Sequence, residues 1–124
     1  MLDFLKSRVN SVKCALVGLR DIVKTEHNTR SHAFFTVATL CLAAWLEIEG
    51  VRLVLVVLAI VLVWITEAFN TVFELVVDIV SPEYCETARR AKDIAAAAVL
   101  FAAIAAFITG FVIILPPLLS KFGV

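Results

Sequence analysis

Glycine is scarce in this 124-residue sequence, with only Gly18, Gly50, Gly110 and Gly123. That scarcity excludes both a P-loop and a GxGxxG turn, which need clustered glycines to bring backbone amides onto a phosphate. A bound nucleotide would have to be held chiefly by side chains and metal. Cys14, Cys41 and Cys85 show neither metal-ligand spacing nor a CxxC pair, so they read as structural. The chain also lacks an excess of either charge, since eleven Lys and Arg balance eleven Asp and Glu. Nothing in that balance calls for nucleic acid as a partner. No internal repeat, low-complexity tract or second domain is visible, and the whole of 1–124 reads as one domain. A compact signal peptide is missing too, because the N-terminal basic residues are spread over thirty positions with no cleavage-type sequence after an apolar run.

What is abundant is apolar sequence. Hydrophobic residues make up 62% of the chain and mean hydropathy is +1.01, against an apolar content of about 45–50% in soluble domains. The expectation is an all-α integral membrane protein. Apolar runs at Ser31–Leu46, Leu53–Val80 with its few polar residues, and Ile94–Leu115 predict three transmembrane helices over 31–48, 53–80 and 94–117. Six of the eleven basic residues precede Ser31, and Arg89, Arg90 and Lys92 form a second cluster. The positive-inside rule then puts residues 1–30 and 81–93 on the cytoplasmic side of a bacterial inner membrane, and the C-terminus outside.

Leu2, Leu5, Val9, Val12, Leu16, Leu19 and Val23 recur at steps of three and four, the pattern of an amphipathic helix. Lys6, Lys13, Arg20 and Lys24 border that stripe, where they could reach headgroup phosphates. Residues 1–30 are accordingly read as a surface helix on the cytoplasmic leaflet. The short turn Glu47–Gly50 joins the first two spans as a hairpin, and Ser81-Pro82 ends the second. Glu83 to Asp93 reads as a polar connection, with Asp93 suited to cap the third span and Pro116-Pro117 suited to close it.

Four polar residues interrupt the second run: Glu67, Asn70, Glu74 and Asp78. At about 100° per residue they fall within roughly 80° on one helix face. Three carboxylates there are costly unless they serve a site. A 28-residue helix is about 42 Å long against about 30 Å of hydrocarbon. With its outer edge at Leu53, Glu67 lies roughly 9 Å inside the cytoplasmic boundary and Asp78 lies outside it. Glu26, Lys92 and Asp93 stand at the entrances of the neighbouring spans, near the same level.

Carboxylates without a His or Cys cluster are hard oxygen ligands suited to Mg²⁺, and a lysine beside them suits phosphate. Phosphoryl transfer needs those parts together with a base for the attacking hydroxyl.

The segment Glu67-Ala-Phe-Asn70-Thr71-Val-Phe-Glu74-Leu-Val-Val-Asp78, followed by Ala91-Lys92-Asp93, resembles the signature of the small bacterial diacylglycerol kinase and undecaprenol kinase family. The likeness covers nearly the whole chain. It implies ATP- and Mg²⁺-dependent phosphorylation of a membrane lipid alcohol by a homotrimer whose sites lie between subunits. It further implies Glu67 as general base, Asn70 as an orienting group, and Glu74 with Glu26 as ligands of the ATP-bound Mg²⁺. Lys92 would contact the ATP phosphates, with Asp78 and Asp93 supporting the nucleotide. The entrance Glu26-His-Asn28-Thr-Arg30-Ser-His32 and Ser81-Pro82-Glu83-Tyr84 look like the undecaprenol branch. Trp45-Leu-Glu47-Ile-Glu49 and Arg90-Ala-Lys92-Asp93 look closer to the diacylglycerol branch. The lipid expected is undecaprenol, with diacylglycerol as the alternative.

Two other classes compete. Membrane carboxylates also mark the pathways of proton- or cation-coupled transporters, although those favour broken helices near the midplane and this helix has no internal Gly or Pro. The polar stripe could also be interhelical glue. His32 reads as an interfacial structural residue.

Overall fold

The structure, a computed structural model, describes residues 1–25 and 27–123; the side chains of residues 2, 3, 5, 24, 25, 27 and 28 lie outside the description. Four helices follow one another: α1 (Leu2–Thr25), α2 (His27–Trp45), α3 (Gly50–Val80) and α4 (Glu86–Lys121). No strand occurs among the described residues. α3 packs chiefly along α4, with smaller contacts between α2 and α3 and between α1 and both of them.

Two of these helices, α3 and α4, are long and apolar enough to cross a membrane. Only 17% of each one's most apolar stretch is buried, which is the opposite of a soluble core helix. Residues such as Leu58, Leu62, Phe69, Phe101, Phe107 and Phe111 stand exposed. Contiguous apolar surface of that extent needs lipid or protein to cover it. α2 differs from its predicted span. It begins at His27 instead of residue 31, because 27–30 contains no helix breaker, and it carries polar residues through its first turns. Its 19 residues cover about 28 Å.

The α2–α3 hairpin is closed by a Schellman motif. Ile48 N–H donates to the Ala43 carbonyl at 2.9 Å and Glu47 N–H to the Ala44 carbonyl at 3.1 Å, with Glu47 in the left-handed region at φ 54°. The apolar contact typical of that motif is present, since Ala43, Leu46 and Ile48 form one buried cluster. Gly50 at φ 59° then turns the chain into α3, which starts three residues before the predicted Leu53.

Two expectations about α4 need correction. Asp93 does not cap it. The helix starts at Glu86, with Cys85 in the cap position, because Thr87 to Lys92 is rich in good helix formers and Pro82 has already broken α3. Nor do Pro116 and Pro117 close it, for the helix runs on to Lys121. An interior proline costs about 3 kcal/mol, and tertiary contacts offset that cost here. Ile113, Ile114 and Leu118 pack on the Ala43–Leu46–Ile48 cluster. Lys121 Nζ donates to the Trp45 carbonyl at 2.9 Å and lies 4.5 Å from the Trp45 ring centre.

Candidate active site

The α3 stripe keeps its predicted face and grades in exposure along the helix. Glu67 is buried at 3% exposure, Asn70 and Glu74 are half-buried, and Asp78 is exposed. The order matches a helix emerging from hydrocarbon into water. Each member has acquired a partner from the local geometry.

Glu67 meets α2. Thr29 Oγ1 donates to its Oε1 at 2.9 Å, while His32 Nε2 stands 3.9 Å from Oε2. Thr71 Oγ1 donates to the Glu67 backbone carbonyl at 3.1 Å, an internal bond of α3 that leaves the carboxylate alone. One turn further along α3, Asn70 Nδ2 donates to Glu74 Oε1 at 3.0 Å. Asn70 Oδ1 is buried and, among the described residues, has no hydrogen-bond partner. Such an orphaned acceptor costs about 1–3 kcal/mol, so it is a place where an incoming donor would be stabilised.

At the C-terminal end of α3, Lys92 forms a salt bridge with Asp78 across the α3–α4 turn. Both border a shallow cavity of about 280 Å³ that also involves Ser81, Tyr84 and Arg89. Asp93 is placed elsewhere. Its carboxylate takes Arg89 Nη1 at 2.7 Å, and Arg89 also grips Glu86, at 2.6 Å through Nη2. Arg89 holds the Glu86 carboxyl below its usual range, with a smaller contribution from Tyr84, whose hydroxyl donates to it at 2.9 Å. The carboxylates of Glu86 and Asp93 in turn hold the Arg89 guanidinium above its usual range.

Three small groups therefore assemble along one line: Thr29–Glu67–His32, Asn70–Glu74 and Asp78–Lys92. Asp93 stays outside them, and Glu26 lies outside the described residues. Among the described residues, no three His, Cys, Asp or Glu side chains gather into a metal cage. Mg²⁺ does not require one, because it is usually held by one or two carboxylates plus substrate phosphates and water. Glu74 fits that role: it is a hard donor, half-buried toward the C-terminal end of α3, and among the described residues its Oε2 takes no hydrogen bond.

Thr29 and His32 are the additions to the predicted site. Thr29 escaped because a lone threonine 38 positions from its partner carries no periodic signal. Only the register of the α2–α3 hairpin reveals it. His32, expected as structural, instead faces the Glu67 carboxylate.

Residues 13–114 match the sequence pattern of prokaryotic diacylglycerol kinase. Over 111 residues the chain is 44% identical to the diacylglycerol kinase of Synechocystis sp., covering 89% of this chain and 63% of that protein. It therefore spans less than two thirds of that relative. Against the Escherichia coli K12 diacylglycerol kinase it is 37% identical over 106 residues, covering 86% and 84% of the two chains. The Bacillus subtilis undecaprenol kinase is 31% identical over 115 residues, with 93% and 90% covered.

Proposed function

The chain belongs to the prokaryotic diacylglycerol kinase family, and from that premise we propose that it is a lipid kinase moving the γ-phosphoryl group of ATP onto a lipid primary hydroxyl at the cytoplasmic face of the membrane. The observation that carries this reading is a buried carboxylate, Glu67, at the inner end of a polar line whose outer end holds an ammonium group, Lys92. A base at lipid depth and a cation in water are what a transfer from soluble donor to membrane acceptor needs.

Glu67 accepts the hydroxyl proton as the lipid oxygen forms its bond to the γ-phosphorus and the bond to the β,γ-bridging oxygen breaks. Asn70 lies one turn away, and its unpartnered Oδ1 can accept from a hydroxyl and so orient it. Lys92 exchanges Asp78 for a phosphate oxygen, with Asp78 keeping the ammonium aimed until then. Glu74, with Glu26, would hold Mg²⁺. When bound, the metal neutralises charge on the phosphate oxygens. Replacing Glu74 by Gln raises the Mg²⁺ concentration needed for half-maximal turnover by about 10-fold or more, as expected when a carboxylate ligand becomes a neutral one. A metal titration checks this, and an unchanged curve counts against the assignment.

Undecaprenol is the acceptor we infer, on the likeness of residues 26–32 and 81–84 to that branch. Diacylglycerol is the second reading, favoured by the 44% and 37% identities to proteins of that name. Purified protein offered both lipids in competition decides between them through the ratio of their kcat/KM values.

The same reading places α2, α3 and α4 across a bacterial inner membrane and α1 on its cytoplasmic leaflet. The N-terminus is then inside and the C-terminus outside, with three chains forming a homotrimer. Cys85 tests the orientation. The backbone amides of Ala88 and then Thr87, at the start of α4, hold its thiol below the ordinary range, which increases the reactive thiolate. A membrane-impermeant maleimide should label Cys85 rapidly in inside-out vesicles and not in intact spheroplasts; the reverse pattern would invert the topology.

A further inference from the structure

We infer that Thr29 is a positioning residue for Glu67, fixing Oε1 against α2 so that Oε2 is the atom that takes the lipid proton. The inference rests on the reading of Glu67 as the base and goes one residue beyond it. Thr29 is completely buried at 0% exposure, although it sits in the first turns of a helix whose outward positions are exposed. Its hydroxyl is the only donor within hydrogen-bond distance of the Glu67 carboxylate among the described residues. The other candidates are committed elsewhere: Thr71 to the Glu67 carbonyl and the Asn70 amide to Glu74.

A buried carboxylate held through one oxygen by a buried hydroxyl has a defined orientation. Remove the donor and the side chain can rotate, which matters because proton transfer tolerates little misplacement of the base. Among the described side chains the titratable neighbours are few. His32 faces Oε2 at 3.9 Å from α2. On α3 the next is Glu74, two turns toward the cytoplasm, and on α2 Arg30 is at the surface. Arg20 and Asp21 of α1 are also exposed. α4 contributes nothing at this depth, since residues 94–115 include no Asp, Glu, His, Lys or Arg.

Thr29→Val keeps the shape of the side chain and deletes the hydroxyl, while Thr29→Ser keeps the hydroxyl. The full-length protein, reconstituted with Mg·ATP and lipid alcohol, is assayed for kcat and KM with Glu67→Gln in parallel, and the folded fraction of each variant is read from its unfolding transition in detergent. For Thr29→Val, kcat per folded protein falls by about 10-fold with KM for lipid and ATP within about 2-fold. Thr29→Ser restores most of the turnover, which also guards against a folding defect in the valine variant. A merely structural role would lower the folded fraction without changing kcat per folded protein. Wild-type kcat in Thr29→Val, while Glu67→Gln is inactive, would overturn the role of Thr29 alone. An active Glu67→Gln would remove the base itself and the inference with it.

Discussion

Glu67→Gln lowers turnover by about 10² or more while leaving the KM for ATP within about 2-fold. The size follows from what general-base catalysis contributes, about 10²–10⁴ in rate. The selectivity follows from the position. Glu67 lies at the buried end of the stripe, three helical turns from Asp78 on the same helix, so the charge change barely reaches the nucleotide end. The substitution is also mild for the fold. Glutamine has the same length and its carbonyl still accepts the Thr29 hydroxyl, so the α2–α3 contact survives. A neutral amide removes the chemistry and keeps the shape. Single-turnover and steady-state phosphorylation assays measure both parameters.

Lys92→Met raises the KM for ATP by about 10- to 100-fold, which corresponds to losing one charge-assisted hydrogen bond to phosphate, about 1.5–3 kcal/mol. Among the described residues, one other cation lines the same cavity. Arg89, the nearest neighbour in the same cavity, is held by Glu86 and Asp93. The deletion also leaves the Asp78 carboxylate beside an incoming polyphosphate, which adds repulsion. Stability is affected far less. The Asp78 and Lys92 side chains are 65% and 35% exposed, and pairs so open to solvent contribute about 0–1 kcal/mol. Nucleotide affinity therefore falls while the unfolding transition of the detergent-solubilised protein stays nearly fixed. Equal loss of both would make Lys92 a structural residue.

How much of this was legible beforehand depends on which interactions are periodic. Glu67, Asn70, Glu74 and Asp78 share a face because helical period alone puts them there, and α3 carries them as expected. Their grading in exposure comes from packing against the neighbouring helices, while their depth in a bilayer remains an expectation from helix length. Contacts between helices were not. The Thr29–Glu67 bond and the Asp78–Lys92 pair depend on hairpin register, which hydropathy does not encode. Asp93 resembled a cap because apolar residues begin after it, yet the polar stretch before it is equally helical and gives it Arg89 four residues back. The prolines misled for a different reason. Local preference at Pro116 and Pro117 favours termination, but packing of Ile113, Ile114 and Leu118 and the Lys121–Trp45 contact outweigh it. Ligation of metal by Glu26 with Glu74 is carried by resemblance, and Glu26 stands outside the described residues.

The central claim is transfer of phosphate between water and membrane by this chain. Purified wild-type protein in vesicles containing undecaprenol and diacylglycerol, given ATP labelled on its γ-phosphorus, should place the label in the organic phase as a lipid monophosphate. That label should disappear with excess chelator and with Glu67→Gln. Label remaining wholly in ATP and inorganic phosphate, with both lipids present and Mg²⁺ in excess, would contradict the account.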